Sequence, residues 1–83
     1  MRIATAALGL AAAALAAHPA RADDRTTCRE GIAMIRSEIE KKPAAPVLAK
    51  LRSALRVAER EDGEGEFDEC VDAVKDARKA LGR

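Results

Sequence analysis

The stretch EFDECVDAVKDARKALGR, residues 66–83, has the pattern of an amphipathic helix with well-defined ends. Its apolar residues recur at helical spacing and form one stripe: Phe67, Cys70, Val71, Val74, Ala77 and Leu81. Acidic side chains fill the first turn and basic side chains the last, as the helix dipole favours. Gly82 follows the last apolar residue, a position typical of a helix C-cap. The stretch therefore predicts a helix with a cysteine on the apolar face of its first turn.

A helix of the same design is predicted for TTCREGIAMIRSEIEKK, residues 26–42. Its apolar stripe also contains a cysteine: Cys28, Ile32, Ile35 and Ile39. Thr27 and Glu30 have the spacing of a capping box, which predicts that the helix begins there. Pro43 disfavours the helical conformation of the residue before it, so the helix is expected to stop at that point.

Between these two segments, PVLAKLRSALRVAERED, residues 46–62, predicts one more helix. Its apolar stripe consists of Leu48, Leu51, Leu55 and Ala58. Pro46 suits the first helical position, where the missing N–H has no partner to lose. Gly63 and Gly65 are expected to end the helix.

Three amphipathic helices with short links, and no sustained strand alternation, predict an all-α up-down-up three-helix bundle. The first and third helices would run parallel, so their opening turns would lie at the same end of the bundle. Cys28 and Cys70 occupy those turns and predict a disulfide bond. A domain of this size has a small core and needs such a staple. The bond is worth about 4 kcal/mol in the chain-entropy treatment of loop closure.

The N-terminus has the layout of a secretory signal peptide. Arg2 precedes an apolar run at residues 3–17, and Pro19 breaks the run. Ala20 and Ala22 then supply small residues at the −3 and −1 positions of a cleavage site. The run of fifteen residues is shorter than the about 20 residues that a membrane-spanning helix needs.

We therefore predict a signal peptide at residues 1–22 and a mature helical domain at residues 23–83. The expected location is periplasmic or secreted in a bacterium, with no membrane anchor after cleavage. Such compartments are oxidising, which agrees with the predicted disulfide.

The composition of the predicted mature chain argues against catalysis. The sequence contains one histidine, His18, and the predicted signal cleavage removes it. The mature chain is therefore expected to form neither a Ser–His or Cys–His nucleophile pair nor a histidine-ligated zinc site. Phe67 is the only aromatic residue, which leaves no stacking platform for nucleic acid. We expect no enzymatic activity, no cofactor and no nucleic-acid partner.

The stretch EREDGEGEFDEC, residues 59–70, contains seven carboxylates and one arginine. Carboxylates at the start of the third helix are favoured by its dipole, but those at the end of the second helix are not. A local rule broken in this way indicates function. The candidate surface is Glu61, Asp62, Glu64 and Glu66.

Two functions remain open for this candidate surface. The first is a protein-binding or accessory module that meets a basic partner surface, and the alternative is weak binding of a divalent cation by the same carboxylates. An EF-hand is excluded, because placing Gly65 at its sixth position puts Arg60 and Val71 where acidic ligands belong.

Charge is segregated along the chain, which also bears on partners. Residues 59–72 have a formal charge of −7, whereas residues 23–56 and 75–83 each have +3. Such a distribution can steer a partner or favour contact between copies of the chain. The aspartates of the third helix have i,i+3 lysine partners in sequence that predict ordinary surface ion pairs: Asp72 with Lys75 and Asp76 with Lys79.

The segment GEFDECVDAVKDA, Gly65–Ala77, resembles the second helix of a tetratricopeptide repeat. A glycine, an aromatic residue between acids, and two small residues seven positions apart carry the resemblance, with Cys70 at the first small position. The match covers residues 51–81, one hairpin, and departs at Ala54 and Glu61, where the family has bulky residues. The resemblance implies an antiparallel helical hairpin and binding of a peptide or protein.

The sequence predicts cleavage after Ala22, so the exported protein should begin at Asp23. Intact-mass spectrometry of the protein recovered from outside the cytoplasm checks this directly. A mature chain that begins at any other residue would contradict the assigned cleavage site.

Overall fold

The structure is a computed structural model that describes residues 19–83, and for residues 19–22 it describes the backbone alone. Most of the predicted signal peptide lies outside the described residues. The peptide and its cleavage after Ala22 therefore stay predictions.

Three helices make up nearly all of the described chain: α1 (Pro19–Glu40), α2 (Ala45–Gly63) and α3 (Phe67–Ala80). Residues 19–83 contain no strand. Each helix packs against the other two, and α2 with α3 forms the most extensive contact. The predicted all-α three-helix bundle is therefore confirmed.

Helix α1 begins earlier than the sequence predicts. It is already helical at Pro19, so Thr27 and Glu30 lie in its interior and the capping-box interpretation is wrong. Proline is tolerated in a first turn, and no glycine or further proline interrupts the segment up to Cys28. Nothing in that segment ends the helical hydrogen-bond pattern, so a capping spacing at Thr27 does not create a new start.

The disulfide between Cys28 and Cys70 joins α1 to α3, as predicted. The two Cα atoms lie 5.5 Å apart, a normal separation for a bridged pair. Both cysteines are fully buried. The bond closes a loop with a sequence separation of 42, and that loop contains all of α2.

The core is built from short side chains and a few branched ones. Its buried apolar members are Cys28, Ile32, Ile35, Leu51, Ala54, Ala58, Cys70, Ala73, Val74 and Ala77. The stripe predicted on α2 is partly wrong, because Leu48 and Leu55 are only half-buried and Ala54 is buried in their place. Helix α2 contacts both neighbours, and its most buried seam faces the small residues of α3.

A glycine allows α1 and α3 to approach closely one turn beyond the disulfide. Gly31 is buried, and a Cβ placed on it would overlap both γ-carbons of Val74 and lie 2.9 Å from its Cβ. Gly31 is in mid-helix, where glycine costs about 0.5–1 kcal/mol relative to alanine. The close packing on Val74 gives the reason for a residue that helix propensity disfavours.

Side-chain interactions connect α1 and the C-terminal segment at both ends of the α1–α3 pair. The Arg25 guanidinium lies over the Phe67 ring, 4.9 Å from its centroid, beside the disulfide. At the other end Glu38 accepts hydrogen bonds from Lys41 at 2.6 Å and from Arg83 at 3.4 Å. The hydrogen bond from Lys41, together with both positive charges, lowers the pKa of Glu38 against the opposing effect of desolvation.

Replacing Gly31 with alanine should destabilise the protein by about 1–2 kcal/mol, because overpacking against Val74 outweighs the gain in helix propensity. Chemical denaturation of the oxidised protein measures this. Val74→Ala alone should cost about 2 kcal/mol through the loss of two buried methyl groups. Gly31→Ala added to Val74→Ala should cost less than Gly31→Ala alone, since the overlap with both γ-carbons is then gone and only the 2.9 Å approach to the Cβ of residue 74 is left.

Gly63→Ala is the matched control. Gly63 is the last residue of α2, and a Cβ at this position meets no atom within 4 Å. This substitution should leave stability unchanged or slightly higher. Equal destabilisation by Gly31→Ala and Gly63→Ala would show that close packing on Val74 is not the reason for the glycine.

Candidate functional site

The acidic turn, residues 61–66, joins α2 to α3 and is held by backbone hydrogen bonds. The Glu66 N–H donates to the Glu61 carbonyl at 2.9 Å, and the Gly65 N–H donates to the Asp62 carbonyl at 3.1 Å. Gly65 has a φ of 76°, the left-handed conformation that this type of helix end requires. The turn therefore has a defined backbone conformation. Helices α2 and α3 fix the directions in which the chain enters and leaves it.

Glu61 does not belong to the exposed surface that the sequence predicts. It is only 7% exposed and continues the buried seam of α2, three residues after Ala58. Its Oε1 accepts a hydrogen bond from Arg60 Nε at 3.2 Å. The helical period places this carboxylate against α3, an outcome that its acidic character alone does not reveal.

Asp62 faces α1. Its Oδ1 accepts a hydrogen bond from Arg29 Nε at 3.4 Å and lies 3.6 Å from the Cys28 sulfur. The second distance is a contact, because an oxidised cysteine has no proton to donate. Asp62 is therefore partly neutralised and covers the disulfide, while its side chain keeps 26% of its exposure.

Glu64 and Glu66 are exposed, as predicted, and among residues 23–83 neither forms an ion pair. Asp68 and Glu69, in the first turn of α3, are exposed as well. From the sequence, these two carboxylates are explained by their favourable interaction with the helix dipole. In the structure they also extend the negative surface formed by Glu64 and Glu66. Asp68 and Glu69 follow the glycines of the acidic turn by one helical turn, and this spacing could have identified them as part of that surface.

Glu69 and Glu61 form a carboxyl pair between α3 and α2. A side-chain hydrogen bond with Glu61, and then repulsion from its charge, raise the pKa of Glu69 above its ordinary value of 4.5. Two carboxyl groups can hydrogen-bond only when one carries a proton. Glu61 therefore opposes ionisation of the Glu69 carboxyl group at the entrance to α3, which raises the pKa of Glu69.

The geometry offers little to a metal ion. Within residues 23–83, no group of three or more acidic, histidine or cysteine side chains is arranged to hold one. No buried polar side-chain atom in this part of the chain lacks a hydrogen-bond partner.

Along residues 19–83, no helix combines the length and apolarity that a membrane span requires.

Comparison with known proteins gives no relative for this chain: no protein-family model, no curated protein and no solved structure matches it. The resemblance of residues 51–81 to a tetratricopeptide hairpin stays a prediction. In the structure this segment is a helical hairpin in which Ala58 and Ala77 are fully buried.

The carboxyl pair predicts a specific pH dependence. Because the pKa of Glu69 is raised in the folded protein, the pair stabilises the fold below pH 4.5, and this contribution is lost as pH rises through the raised value. Glu69→Gln keeps a hydrogen-bond donor towards Glu61 without the charge. The variant should have a higher Tm than the parent protein at pH 7 and lose that advantage on acidification.

Thermal denaturation between pH 4 and pH 7 measures this difference. Glu30→Gln is the control, because it removes one exposed carboxylate from α1, away from the pair. The control should not reproduce the growing Tm difference as pH rises. A Glu69→Gln variant that is less stable than the parent at pH 7 would contradict the carboxyl pair.

Proposed function

We propose that this chain is an exported, non-catalytic protein-binding module whose acidic turn meets a basic surface on its partner. The observation that carries the proposal is a set of exposed carboxylates, on a fixed turn, that form no ion pair among residues 23–83. Glu64 and Glu66 lie at its centre, and Asp68 adjoins them.

Rigidity supports binding by this turn. The backbone hydrogen bonds of Gly65 and Glu66 and the nearby disulfide fix the backbone that carries Glu64 and Glu66 before a partner arrives. A preorganised surface loses less conformational entropy on association. Like charges held close together also create a concentrated negative potential, which increases the rate of encounter with a basic partner.

Export and the lack of catalysis are further parts of the proposal. The disulfide suits a protein that works in an oxidising compartment. Glu69, the carboxyl group with a raised pKa, pairs with Glu61 at an open helix end and has no neighbouring nucleophile within the candidate surface. Cation binding by the acidic turn, the alternative function, has no observation in its favour.

The charge reversal Glu64→Lys with Glu66→Lys tests the acidic turn. Partners captured from extract of the native compartment by the parent protein should be lost with this variant, with binding at least about tenfold weaker. The same partners should elute at about 0.5 M salt, where screening shortens electrostatic interactions to about 4 Å. Quantitative mass spectrometry of the captured proteins provides the measurement.

The matched control reverses two exposed carboxylates of α1, Glu30→Lys with Glu40→Lys, and should retain the partners. Partners that resist salt and bind both variants equally would show that the acidic turn is not the binding surface. Calorimetric titration with calcium at millimolar concentration should give no heat, and a saturable heat would favour the cation-binding alternative.

A further inference from the structure

A groove of about 360 Å³ runs between α2 and α3, and no residue of α1 lines it. Its floor is formed by Ala54, Val57 and Ala73. Ala54 and Ala73 are buried, and Val57 is half-buried at the surface of the bundle. Small side chains of this kind allow another helix to approach the α2–α3 pair closely.

The two walls of the groove differ in charge: three acidic residues line the α3 side and one lysine lines the α2 side. Glu69, Asp72 and Asp76 form one row along α3, and Lys50 lies on the α2 wall. Neither of the i,i+3 ion pairs that the sequence predicts for the two aspartates is formed in residues 23–83. Lys50 and the aspartates are exposed and have no ion-pair partner within this part of the chain.

We infer that this groove is the interface of a homodimer, in which the α2–α3 face of one copy packs on the same face of a second copy. The occupant that fits is a second copy, because this chain itself supplies a lysine on one wall and a row of carboxylates on the other, around one apolar floor. A two-fold interface uses the same surface on both subunits, so each wall must meet its complement.

Charge selects one of the two possible symmetric arrangements. A two-fold axis across the helices would place α3 on α3 and bring the two acidic rows together. An axis parallel to the helices places α2 of each copy on α3 of the other, so that the wall with Lys50 meets the acidic row. Like charges opposite each other are costly at an interface, and the second arrangement avoids them.

The contacts of this dimer follow from the hairpin. Helices α2 and α3 are antiparallel, so Lys50 and Asp76 lie towards one end of the groove and Glu69 lies towards the other. In the dimer, Lys50 of one copy meets Asp76 of the other. This contact occurs twice, which doubles the effect of any single charge change.

A standard stable interface uses about 20–30 residues on each side, and this groove is lined by eight. We therefore expect a weak dimer, with a dissociation constant between about 10 μM and 1 mM. High salt should dissociate it further, because its specificity comes from exposed charges. Sedimentation equilibrium of the purified, disulfide-bonded protein over this concentration range gives the value.

Single charge reversals test the contact between Lys50 and Asp76. Lys50→Asp and Asp76→Lys each turn both symmetric copies of the contact into repulsion, and each should raise the dissociation constant about tenfold. An equimolar mixture of the two variants should form a heterodimer at least as stable as the parent dimer, because both contacts then pair opposite charges.

Lys75→Asp is the matched control, since Lys75 is exposed on α3 but does not line the groove. It should leave the dissociation constant unchanged. Circular dichroism verifies that every variant keeps its helices, so a lost dimer is not a lost fold. A monomeric parent protein at 1 mM, equal effects of Lys75→Asp and Lys50→Asp, or a mixture without heterodimer would each overturn the inference. A monomeric parent that binds a basic helical peptide in the groove would assign the face to another partner.

Discussion

The bond between Cys28 and Cys70 fixes the distance between two parallel helices at one end of a small bundle, and the surrounding packing depends on that distance. One turn further along, Val74 occupies the space that only Gly31 leaves open. In the loop-closure treatment the bond contributes about 4 kcal/mol, which is comparable to the net stability that a core of this size supplies. The short core side chains are therefore sufficient because the chain is already covalently held.

The helices and the disulfide could be predicted because they follow from periodicity within single segments. Cys28 and Cys70 each lie on the apolar face of a helix, so the two cysteines meet although α1 begins well before Cys28. The start of α1 could not be predicted in this way, since a capping spacing at Thr27 has no effect inside a continuing helix. The role of Gly31 was missed because it depends on which residue of α3 lies opposite.

The candidate site shows the same limit. Glu64 and Glu66 lie where the sequence places them, on the exposed side of a turn that Gly65 makes possible. Glu61 differs because its burial is set by the way α2 packs on α3, and no local pattern contains that information. Burial of this carboxylate is tolerable because Arg60 donates a hydrogen bond to it.

The covalent loop also determines how the molecule responds to proteases. Both interhelical connections lie between the bridged cysteines, so cutting either one leaves the two fragments attached through sulfur. The nicked molecule would keep its helices side by side, since no fragment could diffuse away, and it would separate only after a reductant opened the bridge. A single cut in either interhelical connection would therefore leave the three helices associated for as long as the bridge stays oxidised.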